Sequence, residues 1–465
     1  MKISLPKLSE TSLILLVSLF ITAFHNNRFF ANITNAYSSG TYTWEPVTLI
    51  GGLHFGLLLI VLLILTTGPW VRWLLAMVLV SSSATAYFID TYNIIIDADM
   101  IDNSLKTDAG EIRDLLAPMQ LFYMLLLGIL PAWLVLSTPT QPSPWQQRLY
   151  KRLASILVTG MLLAVAVFSY ADFFASYLRE EKILRYYSNP IAPVYGAYRL
   201  FESNSLYDQP QALQIIAPEA QRITNDKPKL TILVVGETVR ADHFGLNGYS
   251  RNTTPLLAQQ TGVVNFNQVT SCGTSTAYSL PCMFSYLQRS NFDKQQAKYT
   301  ENLLDILAKT GVDILWLDNN SSSKGVADRV TYMDLKTPAL NPLCNPECRD
   351  LGMLTKAKQW LTQSQSQSDK LLVLHQMGSH GPAYYKRYPK AFEVFKDTCQ
   401  SNQLDTCSRQ SIINAYDNTI VYTDYFLAQS IEWLQQQADY DVAMLYISDH
   451  GESLGENGLY LHGYP

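Results

Sequence analysis

Five long apolar runs crowd the first third of the chain, at residues 12–31, 48–68, 70–89, 120–138 and 153–174. Each approaches the roughly 20 residues that a helix needs to cross about 30 Å of hydrocarbon. Buried helices of a soluble core are the alternative, but such helices keep a polar face, and these runs leave little room for one. Lys2 and Lys7 precede the first run as they would in a signal peptide. No small-residue cleavage pattern follows, and "HNNRFFANIT" reads as a loop, so an uncleaved first span is expected.

Charge orients the spans. Lys2 and Lys7, then Arg72, then Arg148, Lys151 and Arg152 fall on one side if the spans alternate, and the positive-inside rule makes that side cytoplasmic. Asp90, Asp97, Asp99, Asp102, Asp108, Glu111 and Asp114 fall on the other side, with everything after the fifth span. The expected organisation is a five-helix transmembrane domain over 1–175, an interfacial helix and linker over 176–228, and an outward-facing domain over 229–465. A net charge of −5 without clustered Lys and Arg gives no support to nucleic-acid binding.

Cysteine usage agrees with that orientation. The first cysteine is residue 272, and the six form three close pairs: Cys272 and Cys282, Cys344 and Cys348, Cys399 and Cys407. Confined to the outward part, they read as disulfides of an oxidising compartment such as a periplasm, with neighbour pairing the simplest connectivity. Irregular spacing and the lack of an interleaved His weigh against zinc.

Four short, nearly continuous apolar runs follow the linker: "LTILVV" (230–235), "VDILWL" (312–317), "LLVLH" (371–375) and "DVAMLYIS" (441–448). Helix-like segments separate them, which predicts an α/β sandwich around a largely parallel sheet. Open parallel sheets place their ligands outside the carboxyl ends of the strands. The four polar tips "GETVRADHFG", "DNNSSSKG", "QMGSHGP" and "SDHGESLGENG" should therefore converge on one site.

The tips carry a metal-binding set. Glu237 ends the first strand, and Asp449 and His450 end the last, an oxygen and nitrogen set suited to Zn2+ with a fourth position left over. Thr276, in the hydroxyl-rich loop between Cys272 and Cys282, can fill that position, where a Lewis acid would lower its pKa and make it a nucleophile. The plainer reading is that Thr274, Ser275 and Thr276 cap a helix starting near Ala277. His380 and His462, each flanked by Gly, can hold or protonate a phosphate oxygen, and Asn320 and Lys324 can bind phosphate by hydrogen bond and charge. Asn103, Thr107 and Glu111 recur every four residues and would share one helix face that could receive a lipid head group.

At these residues the sequence resembles the membrane-bound phosphoethanolamine transferases that modify lipid A, the family that includes the mobile colistin-resistance enzymes. The stretches that carry the likeness are "VVGETVRADHFGLNGYSRNTTP", "SCGTSTAYSLPCMFS", "MGSHGPAYYKRYP" and "SDHGESLGENGLYLHGYP". The resemblance implies an alkaline-phosphatase-like (sulfatase-like) catalytic domain on the periplasmic side of a bacterial inner membrane. It implies zinc, one ion held tightly and a second left open, on Glu237, Thr276, Asp449 and His450, with Thr276 the catalytic nucleophile. It makes His380 and His462 phosphoethanolamine-binding or second-metal residues, and Asn320, Ser321 and Lys324 substrate contacts. Asn103, Thr107 and Glu111 then serve the lipid substrate, and the three cysteine pairs match family disulfides.

The implied reaction moves phosphoethanolamine from phosphatidylethanolamine to a lipid A phosphate through a covalent threonine intermediate, giving resistance to cationic peptides such as polymyxin. Members continue beyond "HGYP", where this sequence ends, so the catalytic domain is expected to be short of its last strands and helices. A related phosphoglycerol transferase, a sulfatase (disfavoured, because no Cys-x-Pro-x-Arg occurs) and a tethered non-catalytic binding module are the alternatives.

Overall fold

The computed structural model describes residues 6–37, 44–105, 115, 117–206, 212–223, 227–345, 347–364 and 366–463. The chain divides into two compact units, Met1–Leu105 with Leu116–Asn204, and Lys106–Leu115 with Ser205–Pro465.

The first unit is helical. Among the described residues, four helices are long and apolar enough to cross a membrane: Trp44–Leu65, Gly68–Tyr92, Pro118–Ser137 and Trp145–Ser169. The first apolar run is not one straight span. It forms Glu10–Phe24 and Asn27–Ala36, bent by 56°, a pair that makes a fifth if the two helices are one broken span. A break inside hydrocarbon frees backbone groups that must find partners within the protein. Here Asn26 supplies them: its Nδ2 donates to Ile21 O (3.0 Å) and Asn189 O (2.8 Å), and its Oδ1 accepts from Asn189 N (2.9 Å).

The two ends of this bundle differ in charge. At one end Arg148 and Arg152 meet Glu10 at 3.0 and 3.5 Å, and Arg72 donates to the carbonyls of Leu136 and Thr138. At the other, Asp90 accepts from Arg28 N (2.9 Å), Asn27 Nδ2 (3.1 Å) and Tyr123 Oη (2.6 Å). The segment after the last span forms the helix Ala171–Glu180, a single turn at Leu184–Tyr187 and the helix Ile191–Leu206.

The second unit is an α/β sandwich. Its strands β1 (Lys229–Gly236), β2 (Asp313–Asp318), β3 (Thr331–Asp334), β4 (Lys370–His375) and β5 (Asp441–Ser448) form one parallel sheet in the order β3-β2-β4-β1-β5. Central strands buried on both faces read as continuous apolar runs. β1 and β4 are of this kind, and they pack between a cluster around Ile232, Leu372 and Tyr416 and one around Val235, Val373 and Trp316. Among the described residues β5 is an edge strand, with Val442 and Leu445 exposed. A short antiparallel pair, β6 (Ser453–Leu454) and β7 (Tyr460–Leu461), follows it. The helix Arg409–Gln435, largely buried along its middle, runs across one face of the unit.

Disulfides join Cys272 to Cys282, Cys344 to Cys348 and Cys399 to Cys407, each pair made of sequence neighbours.

Candidate active site

The carboxyl ends of β1 and β5 are adjacent, because these strands pair in register up to Gly236 and Ser448. The next residues, Glu237 on one strand and Asp449 and His450 on the other, are thereby brought together, and all three are buried. Close approach from β4 is possible because residue 378 has no side chain: a Cβ there would lie 2.9 Å from the Glu237 carbonyl oxygen, and its φ is +50°.

Thr276 is the first residue of the helix Thr276–Phe284. Ser279 Oγ ties that helix to the end of β5, donating to Asp449 O at 2.5 Å, and the Cys272–Cys282 bridge ties it to its own preceding loop. Ser275 occupies the N-cap position without a side-chain cap bond, so its hydroxyl is not spent on capping. The Thr276 hydroxyl instead donates to Glu237 Oε2 at 3.0 Å and lies 3.2 Å from His450 Nε2.

His450 Nδ1 sits 2.8 Å from the Gly451 carbonyl. A carbonyl only accepts, so Nδ1 carries the hydrogen and Nε2 presents its lone pair to the site. Burial holds this imidazole below its ordinary pKa despite the pull of Asp449, so the neutral form prevails. Its Nε2 then faces Asp449 Oδ2 at 3.3 Å and Glu237 Oε1 at 3.5 Å, with acceptor opposite acceptor. Asp449 Oδ2 is buried and accepts no hydrogen bond among the described residues. Ligand atoms of Glu237, Asp449 and His450 all lie within 4.8 Å of one another. Inward-facing lone pairs at this spacing are stabilised by a cation, and the donor set suits a divalent metal with one position left for the threonine oxygen.

Glu237, His380 and His462 form a second group within the same 4.8 Å. The His462 ring lies 4.5 Å from that of His450 and 5.4 Å from that of His380. Burial lowers the His462 pKa to about 4 and raises that of Glu452, 3.2 Å from its Nδ1, to about 8. Asn320, from the β2 tip, donates to Glu237 Oε2 (2.7 Å) and Gln376 O (2.8 Å). Lys324 reaches Ser321 Oγ at 2.7 Å rather than standing free in solvent.

Asn103 lies on the helix Ala98–Leu105 of the first unit, whereas Thr107 and Glu111 fall outside the described residues. Sequence reasoning passed over Ser279, although it stands in the hydroxyl-rich loop. It also missed Thr238, Ser448 and Tyr416, which are recognisable only once the strand tips are assembled.

Comparison with known proteins bears on both units. The phosphoethanolamine transferase EptA/EptB family profile matches residues 54–205, and the sulfatase family profile matches residues 229–465. The chain is 43% identical to phosphatidylethanolamine transferase Mcr-1 of Escherichia coli over 97% of its own length and 85% of that protein's. It is 37% identical to phosphoethanolamine transferase EptA of Escherichia coli K12 over 99% of its length and 85% of the relative's. The solved structure of lipooligosaccharide phosphoethanolamine transferase A from Neisseria meningitidis superposes with a TM-score of 0.93 at 34% identity, covering 99% of this chain and 86% of that one.

Proposed function

The chain belongs to the phosphoethanolamine transferase family of the EptA and Mcr type, and on that premise we propose that it transfers phosphoethanolamine from phosphatidylethanolamine to a lipid A phosphate. The observation that carries this reading is the Thr276 hydroxyl, 3.0 Å from Glu237 Oε2 and 3.2 Å from His450 Nε2, beside inward-facing acceptors that fit a divalent metal. Glu237, Asp449, His450 and Thr276 Oγ would hold that ion. Zinc is the ion the donor set suits, and when bound it supplies Lewis acidity that lowers the hydroxyl's pKa and offsets charge on the phosphate.

Thr276 Oγ attacks the phosphorus of the donor lipid, forming an Oγ–P bond as the P–O bond to diacylglycerol breaks. Glu237 Oε2 is placed to take the hydroxyl proton. The diacylglycerol oxygen leaves with the bonding pair and takes a proton from His380. In the second step a lipid A phosphate oxygen attacks the same phosphorus, giving up its own proton to that imidazole, while Thr276 recovers its proton from Glu237. Ser321 and Lys324 orient phosphate oxygens, Asn320 holds the Glu237 carboxylate in place, and Asn103, Thr107 and Glu111 receive the lipid head group.

The bundle sits in a bacterial inner membrane with its N-terminus cytoplasmic and the α/β unit periplasmic. The added amine offsets anionic charge on the outer surface and weakens attraction for cationic peptides. Expressing the chain in a Gram-negative host and weighing its lipid A tests the activity. One added phosphoethanolamine is expected, absent with Thr276→Ala, and unmodified lipid A from the unaltered chain refutes it.

A further inference from the structure

We infer that the buried Tyr416 hydroxyl is a positioning group for the metal site, holding the β1 tip in the one backbone shape that aims Glu237 and Asp449 at a common point. This rests on the metal-site reading given above.

Thr238, next to Glu237, has φ +55°, a left-handed conformation that β-branched residues avoid and that persists only when its surroundings over-determine it. Three successive backbone N–H groups are used to hold it. Thr238 N donates to Asp449 Oδ1 (3.2 Å), Val239 N to Ser448 Oγ (2.8 Å) and Arg240 N to Tyr416 Oη (2.9 Å). Two of these ties end on the β5 tip, so the backbone that presents Glu237 also fixes the Asp449 carboxylate.

The third tie is of another kind. Tyr416 belongs to the long helix Arg409–Gln435 and is fully buried. Its hydroxyl accepts from Arg240 N and donates to Thr238 O (2.5 Å), bridging the two sides of the turn with one oxygen. One turn along the same helix, Thr419 Oγ1 lies 2.6 Å from Ser379 Oγ, and Ser379 N donates to Glu237 O (3.0 Å). A single rigid helix thus clamps both strand tips that approach Glu237. Tyr416 touches neither the ligand atoms nor a reacting group. Its effect passes through the backbone, as with the outer hydrogen-bond partners that orient metal ligands.

Tyr416→Phe deletes the oxygen and keeps the ring. Tyr249→Phe is the control, because its hydroxyl bonds Asp417 at 3.0 Å in the same neighbourhood without touching the tip. Both variants and the unaltered full-length chain are purified in detergent and stripped of metal. Zinc affinity is measured by competition with a chelator, and melting temperature is measured without metal. Tyr416→Phe is expected to weaken zinc binding by roughly ten- to a hundredfold, with a metal-free melting temperature no lower than that of Tyr249→Phe and with unchanged affinity in the control.

Equal zinc affinity in Tyr416→Phe and the unaltered chain overturns the inference. So does an equal loss in Tyr249→Phe, or a metal-free Tyr416→Phe that melts below the control or fails to fold. If the unaltered chain binds no zinc, the metal-site reading itself is what has failed.

Discussion

Two clusters of buried polar groups, one in each unit, are satisfied in opposite ways. In the helical bundle, Asn189 Nδ2 donates to His25 O (3.0 Å) and Ser82 O (2.8 Å), and its Oδ1 accepts from Thr85 Oγ1 (2.8 Å). Both amide hydrogens of Asn189, like those of Asn26, meet an acceptor. At the carboxyl edge of the sheet, Asp449 Oδ2, Glu237 Oε1 and the lone pair of His450 Nε2 face one another across 3.3 and 3.5 Å. A polar cluster that completes itself stabilises a fold. One that turns its acceptors inward is arranged for a ligand the protein does not itself supply.

That contrast can be broken by experiment. The largest effect belongs to Thr276→Ala, which removes the hydroxyl proposed as the nucleophile: transfer to lipid A should fall by about 10^4-fold or more, with zinc still bound, as measured by lipid mass spectrometry and metal analysis. In the bundle, Asn189→Ala should leave zinc affinity untouched and lower stability in detergent by about 3 kcal/mol, since it strands buried carbonyls. A loss of zinc with that variant would erase the distinction between the two clusters.

Asp424 supplies a self-completed carboxylate within the α/β unit, accepting from Leu256 N (2.8 Å) and Leu257 N (2.9 Å). Burial raises its pKa to about 6 against those two bonds. A carboxyl whose folded pKa lies above its unfolded value contributes stability below about pH 4 that is lost as the pH rises through about 6. Relative to the unaltered chain, Asp424→Asn should therefore gain about 2 kcal/mol between pH 4 and pH 7, read from melting curves at each pH. The smallest effect is expected of Asn320→Ala, which loses the bond to Glu237 Oε2 and should weaken zinc binding by about tenfold, measured by chelator competition.

Much of this was legible in the sequence, for reasons that are physical. β1, β2 and β4 lie inside the sheet, so their apolar runs are uninterrupted and their ends easy to place. β3, "TYMD", escaped notice because a short, largely exposed edge strand has no such run. The sequence of β5 gave its limits but not its exposure, because an edge strand can be as apolar as a central one. Glu237, Asp449 and His450 were found because parallel topology forces strand ends together.

The break in the first span was hidden for the opposite reason: what permits it is Asn189, which lies far along the chain from Asn26 and in no recognisable motif. Tyr416 was hidden likewise, being one tyrosine among many until its hydroxyl is seen bridging the β1 tip.

The most direct test of the central claim is the mass of the bridged peptide spanning residues 272–282 after the zinc-loaded protein meets phosphatidylethanolamine without acceptor. One phosphoethanolamine on Thr276 is the expected result. An unmodified peptide, or the group on any other residue, would contradict the convergence of strand tips, metal and threonine on which the account stands.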